Sequence, residues 1–123
     1  MIPEITFPGN GVDCAISTST QILIGGDWSP PISQNTDFVI QEGRAYYGGL
    51  SELATKADLA VINVETVLAD SSKLRAKSGP AAIAEPYLAE HLKQCGFDVA
   101  CLANNHICDA GKQGLSQTIR SLT

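Results

Sequence analysis

Hydrophobic residues in this chain fall in short dense runs, each closed by polar residues or glycine, and the runs alternate with stretches of helical spacing. Ile22-Leu23-Ile24, within Gln21 to Gly26, is rich in β-branched residues and bounded by Gly25-Gly26. That pattern predicts a first strand ending at Asp27. Trp28-Ser29-Pro30-Pro31 stops any regular element, and residues 28–42 read as a loop. A helix is expected from Ala45 to Lys56, with Leu50, Leu53, Ala54 and Ala57 on its apolar face and Gly48-Gly49 weakening its first half. Leu59-Ala60-Val61-Ile62 predicts a second strand, closing on Asn63-Val64-Glu65. Residues 66–84 read as a long connection, polar at Ser71-Ser72-Lys73 and again at Lys77-Ser78-Gly79-Pro80. Pro86 suits the first turn of a helix ending near Cys95, with Leu88, Leu92 and Cys95 spaced to face a core and Gly96 at the C′ position. Val99 to Ala103 has neither charge nor alternation, the pattern of a fully buried strand. Gly111 to Leu122 reads as the last helix, with Leu115, Ile119 and Leu122 on one face.

Strand, helix, strand, helix, strand, helix implies an α/β fold, a mainly parallel sheet with right-handed crossovers and helices flanking it. The strands are spaced widely enough for βαβ units. Parallel strands bring their polar ends to one edge, where Asp27, Asn63, Glu65 and the run Asn104-Asn105-His106-Ile107-Cys108-Asp109 would meet. Residues 1–20, with Pro3, Pro8, Gly9 and Gly11, read as an irregular lead-in with a short strand near Val12 to Ile16, and residues 21–123 as the folded unit.

Composition narrows the class. With 123 residues, 44% hydrophobic and 17% charged, the chain is expected to form one soluble domain. A net charge of −5 without a Lys/Arg stripe argues against nucleic acid as a partner, and the apolar runs are too short to span a bilayer. Met1 to Ile5 lacks a basic segment leading into an apolar one, so no secretory signal is seen and a cytoplasmic location is expected. Cys14, Cys95, Cys101 and Cys108 form no CxxC pair and read as core thiols rather than metal ligands. His91 reads as a surface or boundary residue. Neither a dinucleotide fingerprint nor a Walker A pattern is present.

At the polar edge, Asp27 and Glu65 offer anionic oxygen, and Asn63 or Asn105 a neutral carbonyl oxygen. Oxygen-rich sets of this kind suit Mn²⁺, Mg²⁺ or Fe²⁺, and a nearby imidazole leaves Zn²⁺ open. A cation there would polarise a phosphoryl oxygen and lower the pKa of bound water. His106 could act as general acid, with Asp109 orienting its ring. Each residue also has a structural alternative: Asp27 as a turn cap, Asn104-Asn105 as a tight turn, His106 as a structural histidine.

The set Gly26-Asp27, Asn63-Val64-Glu65 and Ala103-Asn104-Asn105-His106-Ile107-Cys108-Asp109-Ala110-Gly111, with Gly114-Leu115 and Thr118, resembles the CapA family. These are bacterial capsule and poly-γ-glutamate synthesis proteins related to the calcineurin-like metallophosphoesterases. Ala57-Asp58, Gly96-Phe97-Asp98-Val99 and Lys77-Ser78-Gly79-Pro80 are similar to family wording as well. The resemblance implies a metallophosphatase-like α/β sandwich of two face-to-face sheets with helices outside. It implies a divalent metal (Mn²⁺, Fe²⁺ or Zn²⁺) on Asp27, Glu65 and Asn105, and His106 with Asp109 as the catalytic pair. Asn63 and Asn104 would stand behind them, and Lys77 would meet an anionic or phosphorylated substrate or polymer precursor. Relatives are longer and often membrane-associated or at the cell surface, and their later half brings further histidine ligands and the second sheet. No histidine follows His106 here, so this chain is expected to hold an N-terminal half-site with an uncovered apolar sheet face. A missing half, a second copy or a partner subunit would complete it; the remaining alternative is a degenerate remnant. The competing expectation is a non-catalytic module of the surface-polymer machinery.

Overall fold

Three parallel strands carry the molecule in the computed structural model, which describes residues 20–30, 47–70 and 79–123. The elements run β1 (Ile22–Trp28), α1 (Gly49–Lys56), β2 (Leu59–Val64), β3 (Val67–Leu68) and β4 (Ile83–Ala84). A 3₁₀ turn (Pro86–Leu88), α2 (Ala89–Gln94), β5 (Val99–Cys101) and α3 (Gly111–Leu122) follow. The main sheet has the order β1-β2-β5, all parallel, and β3 pairs with β4 in a separate two-stranded parallel sheet. The expected α/β arrangement is therefore present.

The same device sets the register at both seams of the main sheet. Asp58, just before β2, accepts the N–H of Gln21 through Oδ2 at 2.7 Å. Asp98, just before β5, accepts the N–H of Ala60 through Oδ2 at 2.8 Å. Each carboxylate thus ties the start of its own strand to the start of the neighbouring one. An irregularity between Ile24 and Asp27 then brings Asp27 opposite Asn63, and Asn63 lies opposite Cys101. A bulge of this kind re-aims a side chain at the end of a strand.

Helices cover one face of the sheet. Ile62 and Val64 pack with Trp28, Leu68, Ala84, Leu88, Ala89 and Leu92, and Phe97, Ala100, Leu102 and Leu122 close around them. Leu88, Leu92 and Cys95 are buried as the spacing predicts, and Gly96 ends α2 with φ 90°, the left-handed C′ position. Among the described residues nothing covers the other face: Ile22 is 58% exposed, Ile24 78% and Val99 42%, with Leu59 and Cys101 beside them. No helix among the described residues is long and apolar enough to cross a membrane.

Several expectations need correction. The strand from Val99 is not fully buried, because among the described residues only one of its faces is covered. On α3 the buried positions are Gly111, Gly114 and Thr118, while Ile119 is exposed. Gly114 allows the approach, since a Cβ there would collide with that of Ala110 and stand 3.0 Å from Val67 Cγ2. On α1, Ser51 and Ala54 are buried and Leu53 is exposed. The connection after β2 holds the unanticipated β3 and β4. His91 is buried in α2 rather than at the surface. Cys95 is a core thiol, but Cys101 and Cys108 are exposed. Cys14, Lys77, residues 1–19 of the lead-in, most of the 28–42 loop and residues 45–46 of the expected first helix lie outside the described residues.

Candidate functional site

At the carboxyl edge of the main sheet the ends of β1, β2 and β5 lie level, and the polar clusters converge there. Asp27, exposed at the end of β1, accepts a 2.7 Å hydrogen bond from Asn63 Nδ2. The same amide nitrogen lies 3.4 Å from Glu65 Oε2. Asn63, together with contact from Glu65, holds the Asp27 carboxyl below its usual range. Glu65, one residue past β2, is pushed the other way by its contact with Asp27, by burial and by the neighbouring Asp27 charge, against a small opposing pull from His106. Two carboxyls held this close disfavour being charged together, a cost that a shared proton or a bound cation relieves.

His106 stands opposite, on the loop between β5 and α3. Its Nδ1 meets Asp109 Oδ2 at 2.8 Å, and Nε2 lies 3.9 Å from Glu65 Oε1. Asp109 is buried, and its Oδ2 also accepts the backbone N–H of Ala82 at 2.9 Å. An acceptor so engaged keeps the proton on Nδ1 and turns Nε2 toward the carboxylates. The loop is built by Asn104, whose Oδ1 accepts the N–H groups of His106 and Ile107, both at 3.1 Å. This is an Asx turn, and Asn two positions before the histidine is the sequence signal for it. Gly111, with φ 65°, lets the chain turn from this loop into α3.

Asp27, Asn63, Glu65, Asn104, His106 and Asp109 are thus brought together. Asn105 is exposed on the same loop, and its side chain makes no hydrogen bond among the described residues. Asn63 departs from one alternative: its Oδ1 accepts from Asn104 Nδ2 at 3.2 Å, so its amide nitrogen, not its oxygen, faces the carboxylates. Among the described residues no group of three or more His, Cys, Asp or Glu side chains is placed to hold a metal ion. The link from Ala82 to Asp109 was not foreseen, because the β3–β4 pairing that places Ala82 leaves no periodic signal in two-residue strands.

An α/β domain with paired carboxylates and a carboxylate-held imidazole at the carboxyl edge of a parallel sheet is the class defined by this geometry. The family model for bacterial capsule synthesis proteins (PGA_cap) matches residues 16–123, and the chain belongs to that family. No curated protein matches it.

Proposed function

We propose that this capsule synthesis protein carries the carboxylate and imidazole half of a metal-dependent phosphoesterase-type site. The observation that carries the reading is that Asp27 and Glu65 both lie against Asn63 Nδ2, with His106 Nε2 3.9 Å from Glu65 Oε1. Two adjoining carboxylates are a poor arrangement for isolated anions and a good one for a hard divalent cation, which is commonly held by one or two carboxylates and several waters. Asp27 and Glu65 would hold the cation, with the Asn105 carboxamide as a third ligand. When bound, it would supply Lewis acidity toward a phosphoryl oxygen and an acidified water. His106, its Nδ1–H committed to Asp109, would exchange a proton through Nε2 with the leaving or attacking oxygen. The substrate class is an anionic or phosphorylated polymer precursor.

Calorimetric titration of the chain with Mn²⁺, with Glu65→Ala alongside, tests this. Saturable binding is expected in the native chain and is expected to be lost in the variant. Equal heats in both would overturn the reading. A second reading is favoured by the bare apolar face around Ile24 and Val99: a non-catalytic subunit docked through that face. It predicts partner binding that chelators leave unchanged.

A further inference from the structure

The side-chain hydrogen bonds across the strand ends run in one direction. Asn63 Nδ2 donates to Asp27 Oδ1, and Asn63 Oδ1 accepts from Asn104 Nδ2. Asn104 Nδ2 also donates to the Val64 carbonyl at 2.9 Å, while Asn104 Oδ1 accepts the two loop N–H groups. Neither carboxamide can flip without setting like against like, because carboxylates and carbonyls only accept and backbone N–H groups only donate. We infer that Asn63 and Asn104 are positioning residues, a one-way carboxamide relay that ties β1 and β2 to the β5–α3 loop and holds the Asn105–His106 turn against the Asp27–Glu65 pair. The inference rests on the reading of that pair as a cation site. It deepens that reading by assigning Asn63 to orient the carboxylates rather than to ligate, which leaves Asn105 as the carboxamide available to a bound cation.

Isosteric changes separate the two halves of the relay. Asn104→Asp still accepts from His106 and Ile107 but sets an oxygen against Asn63 Oδ1 and the Val64 carbonyl. Asn104→Ala removes both halves. Asn63→Asp still accepts from Asn104 but adds a third carboxylate beside Asp27 and Glu65.

The test combines amide hydrogen exchange at His106 and Ile107, followed by NMR on the full chain, with Mn²⁺ titration and thermal unfolding of each variant. Asn104→Ala is expected to speed exchange at those two amides about tenfold relative to the α3 amides, the loss of one net hydrogen bond. Asn104→Asp is expected to keep their protection yet weaken Mn²⁺ binding about tenfold, a split that loss of overall stability would not produce. Exchange at native rates in Asn104→Ala, or native Mn²⁺ affinity in Asn104→Asp, would overturn the relay. If the native chain binds no Mn²⁺, the cation reading fails, and the exchange data still decide the relay. Acceleration confined to His106 and Ile107 supports it, and uniform acceleration overturns it.

Discussion

Thr66 follows Glu65 directly, is fully buried, and its Oγ1 has no hydrogen-bond partner among the described residues. A buried hydroxyl without a partner costs about 1–3 kcal/mol, and valine has the same shape without the cost. Thr66→Val is expected to stabilise the chain by roughly 1 kcal/mol, read as a rise of about 4–8 °C in Tm. His91 makes a similar demand. It is 3% exposed, its Nδ1 has no partner among the described residues, and burial pushes its pKa below the ordinary value against a weaker pull from Glu90. The unfolded chain protonates this histidine at about pH 6.5, where the folded one resists. The unfolded state therefore binds more protons below that pH. Stability from neutral His91 is full above about pH 6.5 and is lost as pH falls through the depressed folded pKa. Urea denaturation between pH 8 and 5 should show this decline in the native chain and a flatter profile in His91→Leu.

At the scale of elements, the Thr118 side chain hydrogen-bonds α3 to β3. Thr118 is fully buried, accepts the Leu68 N–H at 2.9 Å and donates to the Gly114 carbonyl at 2.9 Å. A glycine brings the helix close, and the threonine then supplies the acceptor that a two-residue strand lacks on that side. Thr118→Val leaves the Leu68 N–H buried without a partner, which is expected to cost about 1–3 kcal/mol in chemical denaturation. Thr118→Ser retains the hydroxyl and should recover most of that loss.

At the scale of the whole molecule, one face of the sheet carries the core and the other carries exposed isoleucine and valine. Adjoining apolar strands left bare favour association. Ile24→Lys is expected to change stability by less than about 0.5 kcal/mol, since Ile24 is 78% exposed, and to reduce self-association in sedimentation velocity. A larger loss of stability would mean that this face is covered in solution. The site lies at the edge of this face, so the proposed cation binding and any docking through it can be tested separately by Glu65→Ala and Ile24→Lys.

The local order of elements was legible in the chain because punctuation and period are local properties. Gly111 to Leu122 was bounded correctly as a helix, the three main strands stood where the apolar runs stand, and parallel pairing followed from their alternation with helices. That pairing alone put Asp27, Glu65 and His106 at one edge. Tertiary structure decided the rest. It buried Gly114 and Thr118 instead of Ile119, exposed Val99 and Cys101, and paired Val67–Leu68 with Ile83–Ala84. It also set the direction of the Asn63 and Asn104 amides, which depends on partners as many as 41 positions apart. A sequence states which residues can lie on one face. Whether that face is covered, and which end of an amide meets a carboxylate, is set by neighbours that only the folded chain supplies.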